Sequence, residues 1–340
     1  GPESASPPAA PPVVPKVPPP GVPPQPPASG ASPPPATRRR KRHVLSWIVI
    51  ALVAYFVAVV SVFALSVNKV DALPPVSSAT SSGMNVLMVG SDSRAGLTED
   101  QQAELSTGSV EGGRTDTIML LHIPALGTPT LVSIPRDSWV PIPGHGTDKI
   151  NAAFALGGPQ LLITTVEQAT GLEITDYVEI GFAGVAATTV ALGGVILCPS
   201  QDYADEFSGL NVSAGCQTMD GTTALAYVRM RYQDPKGDLG RIERQQEFMS
   251  AVAKKGMSPL TWLLPWRAFG TAHEAGQALT TGRNTRILDL TRIGVAMGMI
   301  SLGWGTATTV PTVEGTLEID GQSALEWDSP AASALFNGLS

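Results

Sequence analysis

MNVLMVG at 84–90, DTIMLLHIP at 116–124 and TLVSIP at 130–135 decide the fold. Each is a short run of Val, Ile, Leu and Met without polar alternation, the pattern of a strand covered on both faces. ITDYVEIGF at 174–182 alternates instead, and GGVILCP at 193–199 is a further candidate strand. Between and around them, GPQLLITTVEQATG (158–171) and FAGVAATTVALGG (182–194) have helical apolar spacing and end on glycine, as helix C-termini do. Strands alternating with helices predict an α/β fold: a single α/β/α sandwich domain around a mixed central sheet.

The chain before this domain is of a different kind. Residues 1–43 are rich in Pro, Ala, Ser and Gly and end in the basic run RRRKRH. Such a tail buries too little apolar surface to offset its ordering entropy, so it reads as a disordered cytoplasmic segment. VLSWIVIALVAYFVAVVSVFALSV at 44–67 carries no charge. At about 1.5 Å per residue it spans a hydrocarbon core of about 30 Å. It is read as a transmembrane signal-anchor helix; a cleaved signal peptide and a buried core helix are the alternatives. The basic residues Arg38 to Arg42 put the N-terminus in the cytoplasm and everything after residue 68 outside the cell. Residues 68–83 read as a polar linker, and 84–340 as the extracellular domain, with a core at 84–255 and a helical part at 256–340. In that last part ILDLTRIGVAMGMISL (287–302) is the clearest helix. MDGTTALAY (219–227) and IDGQSALEW (319–327) echo one another and read as two Asp-capped helix starts.

Charge divides along the same line. Residues 1–43 hold six Lys or Arg against one acid, which leaves 16 Lys or Arg against 28 acids for the rest. An exterior of net −12 argues against a nucleic-acid partner. The two cysteines, Cys198 and Cys216, both fall in the exterior part. In an oxidising compartment the simplest assignment is one disulfide, with two free thiols as the alternative.

Against that acidic background, VRMRYQDPKGDLGRIERQQ at 228–246 gathers five cations. Arg229 and Arg231 share a face of an extended segment. Arg241, Arg244 and Gln245 share a face of the helix suggested by IERQQEFMSAVAKK, which Asp238 is placed to cap. Guanidinium forks match phosphate oxygens, and several are needed to hold a pyrophosphate. Surface pairing with Asp234, Asp238 and Glu243 is the plainer explanation. Three further polar clusters sit at predicted strand ends: GSDSR (90–94), GRTDT (113–117) and IPRDSW (134–139). Asp92 and Asp116, beside Arg94, Arg114 and Arg136, have the character of a hard-cation site. A divalent ion and several arginines around one pyrophosphate form the usual electrostatic solution for phosphoryl transfer.

GSDSR, RTDT, VSIPRD, DKINAAFALGG (148–158), ALGGV (191–195) and ALAYVRMR…DLGRIERQQ (224–246) together resemble the LytR-CpsA-Psr family of cell-wall glycopolymer ligases, in its actinobacterial form. The resemblance implies a phosphotransferase. It would move a glycopolymer from a polyprenyl-pyrophosphate carrier to the C6 hydroxyl of muramic acid in peptidoglycan, forming a phosphodiester and releasing polyprenyl phosphate. Asp92 and Asp116 would hold Mg²⁺, with Mn²⁺ as a substitute. Arg114, Arg136, Arg229, Arg231 and Arg241 would grip the pyrophosphate, with Gln245 in support. Arg114 and Arg241 would act at the reacting phosphate, and Asp238 would be the base or orienting carboxylate. Arg94, Arg244 and Lys149 would either join the anion site or hold its loops. In that family the lipid chain lies in a tunnel between sheet and helices, and the apolar faces of 160–172 and 182–192 are candidate walls. For a mycolic-acid bacterium the polymer would be arabinogalactan. A polyprenyl-pyrophosphate phosphatase and a non-catalytic lipid-binding scaffold of wall assembly are the competing functions.

Overall fold

A computed structural model describes residues 21, 37–74, 82–91, 115–205, 209–230, 238–313, 315, 317–319 and 321–339. The chain divides into two units, Gly1–Ala51 and Leu52–Ser340. Helix α1 (Thr37–Ser66) runs through the boundary, and its Val44–Ser66 portion is long and apolar enough to cross a membrane.

The second unit is built on a seven-stranded mixed sheet. Its strands are β1 (Asn68–Val70), β2 (Met84–Ser91), β3 (Thr115–Ile123), β4 (Thr130–Ile134), β7 (Asp176–Gly181), β12 (Leu279–Gly282) and β13 (Thr306–Thr309). Their order is β1-β12-β7-β2-β3-β4-β13. The strands outside the sheet form four two-stranded pairs: β5 (Trp139–Ile142) with β6 (Gly146–Lys149), β8 (Val195–Leu197) with β11 (Gln217–Met219), β9 (Tyr203–Asp205) with β10 (Leu210–Val212), and β14 (Leu317–Ile319) with β15 (Gln322–Ala324). The remaining helices are α2 (Ile150–Thr170), α3 (Phe182–Ala191), α4 (Gly221–Arg229), α5 (Asp238–Gly256), α6 (Pro259–Leu263), α7 (Pro265–Gln277), α8 (Ile287–Ser301) and α9 (Ser329–Asn337).

The continuous apolar runs are strands because both faces of the sheet are covered. On one face Leu87, Val89, Ile118, Leu120, Val132 and Ile134 pack with Leu162, Ile163 and Val166 of α2 and Phe336 of α9. On the other, Val86, Met88, Leu121 and Val178 pack with Ile293 and Ala296 of α8. Each fully buried aliphatic side chain contributes about 1.5–3 kcal/mol, which keeps Val86 to Val89 in the middle of β2 wholly apolar. A third cluster joins α3, α4 and α5 to the small strands through Val185, Leu197, Tyr203, Tyr227, Met230 and Phe248, with Ile180 of β7 packed against it.

The sandwich follows the sequence reading, and so does the C-terminal end of the helix read at 158–171. Gly171 closes α2 in a left-handed conformation, its N–H donating to Glu167 O at 2.8 Å. Four details differ. The helix expected from 158 begins at Ile150, with non-helical backbone at Gly157 and Gly158 just before Pro159. Val195–Leu197, read as a strand, is one, but it pairs with β11 in a two-stranded sheet apart from the central one. The part at 256–340 is not only helical: β12 and β13 supply two of the seven strands, and these Thr-rich four-residue pieces carry no apolar run to betray them. Finally, Asp220 caps α4 as expected, accepting from Thr223 N at 2.8 Å, but the echo at 319–327 is the β14–β15 hairpin. Gly321 in its turn has φ +75°, which favours reversal over helix initiation, and the helix start falls eight residues further on, at Ser329, capped by Asp328.

Asn68–Val70, read as the start of a polar linker, adds an edge strand parallel to β12. Lys69 secures it, its Nζ donating to Thr281 Oγ1 at 2.9 Å and Thr285 O at 2.6 Å. The chain that leaves α1 is therefore fastened to the sheet within two residues.

Candidate functional site

One row of the sheet register reads Asn68, Thr280, Glu179, Val89, Ile118, Ile134 across six strands. Beyond this row, β2 ends at Ser91, β7 at Gly181 and β4 at Ile134, while β3 begins at Thr115. The four polar strand ends of the sequence analysis bear on this place as follows. Ser91 pairs with Thr115, whereas Gly90 pairs with Thr117, so Asp116 is the extra residue of a β-bulge. Bulges bend a strand locally and re-aim its side chains, and they are common beside active sites. Arg136 lies in the turn that leaves β4 immediately after Ile134, the partner of Ile118.

That turn is tightly held. Ser138 donates its Oγ to Pro135 O at 2.6 Å, Ile150 N donates to Ser138 O, and Leu325 N donates to Asp137 O. Asp137 draws the two cations together: Arg136 Nε lies 3.5 Å from one carboxylate oxygen and Lys149 Nζ 3.0 Å from the other. Lys149 directly precedes α2, and the Arg136 side chain is 37 % exposed.

Beneath the strand ends is a buried polar group that the sequence reading missed. Ser91 Oγ donates to one carboxylate oxygen of Glu179, and Tyr177 Oη donates to the other at 2.9 Å. All three residues are buried. Burial, reinforced by the Glu179 carboxylate, pushes the Tyr177 phenol well above its usual range, so it stays a donor. Thr115 Oγ1 is buried without a hydrogen-bond partner among the described residues. The signal was present in ITDYVEIGF, where Glu179 stands between Val178 and Ile180 in a central strand.

The arginine-rich stretch is fastened from below. Arg229 is the last residue of α4, and the next carbonyl, Met230 O, accepts from Arg244 Nη2 at 2.7 Å. Arg244 Nε donates to Tyr227 O at 3.0 Å, and its guanidinium lies 5.8 Å over the Tyr227 ring. Tyr227 Oη in turn donates to Glu247 Oε2 at 3.0 Å, and Cys198 N donates to Glu247 Oε1 at 2.7 Å. Arg244 is 4 % exposed and braces the backbone on which Arg229 stands. Cys198 and Cys216 are joined by a disulfide, next to the Leu197–Gln217 pair of β8 and β11. Gln245 is half-buried on α5, four residues beyond Arg241 on the same face.

Asp92, Arg94, Arg114 and Arg231 lie outside the described residues; Asp116, Arg229, Asp238 and Arg241 are described only as positions in their strand or helices. Asp238 is the first residue of α5. The donor set implied for a divalent ion, two carboxylates adjoining the paired residues Ser91 and Thr115, consists of hard oxygen ligands and fits Mg²⁺ or Mn²⁺ in kind.

A mixed α/β sandwich, carried behind an apolar helix of membrane-spanning length and gathering cations at one sheet end, defines the class of protein. The chain belongs to the LytR_cpsA_psr family, whose description matches residues 62–293. It is 45 % identical over 293 residues to the probable cell wall biosynthesis protein LcpB of Corynebacterium glutamicum, covering 86 % of this chain and 69 % of LcpB. It is 37 % identical over 182 residues to the polyisoprenyl-teichoic acid–peptidoglycan teichoic acid transferase TagU of Oceanobacillus iheyensis, covering 52 % of each. In fold it resembles a LytR-Csp2A-Psr enzyme from Actinomyces oris, with a TM-score of 0.55 at 22 % identity, over 80 % of this chain and 95 % of that one.

Proposed function

We propose that this protein transfers a glycopolymer from a polyprenyl-pyrophosphate carrier to peptidoglycan, outside the cell membrane. A hydroxyl of the acceptor, the muramic acid C6 hydroxyl, attacks the phosphorus that carries the glycan. A phosphodiester to the acceptor forms, the pyrophosphate P–O–P bond breaks, polyprenyl phosphate departs, and the hydroxyl proton goes to a nearby carboxylate. One observation carries the reading: the strand ends next to Asp116 and Arg136 lie on the side of the sheet where the chain enters from α1, since Asn68 begins the same register row as Glu179, Val89 and Ile118. A pyrophosphate anchored by its lipid lies at that level. The similarity to LcpB and TagU supports the same reaction class, and the basic run in the first turns of α1, with the disulfide, supports a cytoplasmic N-terminus and an external domain.

In this scheme Arg136, Arg229, Arg231 and Arg241 with Gln245 neutralise the diphosphate, Arg114 meets the charge that develops on transfer, and Asp238 receives the proton. Arg94 and Lys149 hold the surrounding loops, and Arg244 sets the height of the Arg229 backbone. Mg²⁺ held by Asp92 and Asp116 would supply charge neutralisation at the phosphate oxygens. Arabinogalactan is the first polymer to test.

The decisive experiment supplies purified full chain in vesicles with lipid-linked glycan and a peptidoglycan acceptor. Wild type forms the acid-labile phosphodiester, and Arg229→Ala loses on the order of a hundredfold in rate. Release of polyprenyl phosphate without glycan on the acceptor would identify a phosphatase, and lipid binding with no turnover a scaffold.

A further inference from the structure

The outer half of α1 does not stand alone. Tyr55, Val59, Val62 and Phe63 on one of its faces pack against α7, where Val59, Ala268 and Ala272 are buried. Tyr55 Oη donates to Trp262 O at 2.8 Å, the Tyr55 ring meets Phe269 edge-on, and Ser66 Oγ lies 2.8 Å from His273 Nδ1. Helix α7 thus runs parallel to α1, and the connection before it lies at the level of Tyr55. That is roughly 16 Å of helix below Ser66, at 1.5 Å per residue.

The connection is MSPLTWLLPW, residues 257–266, with no charged side chain between Lys254–Lys255 before it and Arg267 after it. Its large apolar side chains point outward: Met257, Leu260, Leu263 and Trp266 are 76, 57, 68 and 70 % exposed. Its polar groups point inward. Trp262 Nε1 donates to Gly256 O at 2.7 Å and Thr261 Oγ1 to Lys255 O at 3.0 Å, both carbonyls in the last turn of α5. Apolar tips bracketed by cations, with backbone groups internally satisfied, suit hydrocarbon and its interface, not water.

We infer that residues 257–266 insert among the acyl chains of the outer leaflet beside α1, as a second, non-spanning membrane contact. This rests on the reading that α1 crosses the bilayer. Any depth reached by Tyr55 is then shared by Trp262, and Leu260, Leu263 and Trp266 leave water for lipid. Together the two contacts hold the sheet at a set tilt, with its Ser91 end toward the headgroups, where a lipid-borne pyrophosphate resides.

The test uses the full chain in phosphatidylcholine–phosphatidylglycerol vesicles, labelled with an environment-sensitive fluorophore on a single introduced cysteine, the native disulfide left intact. Leu263→Cys is compared with Val53→Cys on the exposed face of α1 and with Leu126→Cys, in the loop at the opposite end of the sheet. The expected result is blue-shifted emission, lost on adding nitroxide-labelled lipid, for both Leu263→Cys and Val53→Cys, and neither effect for Leu126→Cys. Quenching at Val53→Cys with water-like emission at Leu263→Cys overturns the inference and leaves the anchor standing. Absence of quenching at both overturns the anchor reading as well.

Discussion

Arg244 illustrates how one residue type serves two purposes within a few positions. Read along the chain it is one guanidinium among five cations; in the fold it is buried, donating to the carbonyls of Tyr227 and Met230. Removing it leaves both carbonyls without their charged donor, so Arg244→Ala is expected to cost about 2–4 kcal/mol in denaturant unfolding and to weaken substrate capture through the displaced Arg229 backbone. Arg229→Ala, in contrast, should leave stability within about 0.5 kcal/mol while removing transfer. The histidines separate in the same way. His122 is buried in β3, its Nδ1 2.7 Å from Asn85 Oδ1, and burial holds its pKa below the ordinary value. The folded protein therefore binds this proton less readily than the unfolded chain does. The stability that follows is present above the unfolded pKa of about 6.5 and lost as pH falls below it. Thermal unfolding between pH 7 and 5 should show a falling midpoint, and His122→Gln should flatten that fall.

At the scale of elements, close approach between helices decides where the arginines stand. A Cβ on Gly221 would lie 2.3 Å from Ala186 O and 2.7 Å from Val190 Cγ2. Only glycine lets the start of α4 touch α3, which itself springs from the end of β7. Gly221→Val is expected to push the two helices apart, costing about 1–3 kcal/mol by denaturant titration and misplacing Arg229 and Met230 at the far end of α4. The rate of transfer should fall more than substrate binding does, since geometry at the phosphate suffers before charge is lost. The disulfide between the β8 and β11 ends, and Glu247 between Cys198 N and Tyr227 Oη, brace the same helix from the opposite side.

At the scale of the molecule, the sheet is oriented by its attachment. Strand β1 follows α1 after one residue, and Lys69 locks it to β12 and the turn beyond. The Ser91 end of the sheet is thereby turned toward α1, the helix of membrane-spanning length, and the loop holding Leu126 away from it. The proposed cation belongs at this scale because Asp92 and Asp116 come from different strands' ends. Millimolar Mg²⁺ should raise the unfolding midpoint of the wild type but not of Asp116→Ala, with chelator reversing the shift; an equal shift in both would remove Asp116 from the site.

The apolar runs at 84–90, 116–124 and 130–135 determined by themselves that a covered sheet would form, because residues without polar alternation have no face to offer water. The uncharged stretch at 44–67 determined a helix of membrane-spanning length, and the six motifs determined the family. Tertiary structure alone decided the rest. Strands β12 and β13 are legible only as partners of β7 and β4, since their threonines gain strand character from an existing edge. The burial of Glu179, the bracing role of Arg244 and the outward apolar tip at 257–266 depend on which segment lies alongside which. Spacing along a chain states what can share a face of one element; only packing between distant elements settles what that face meets.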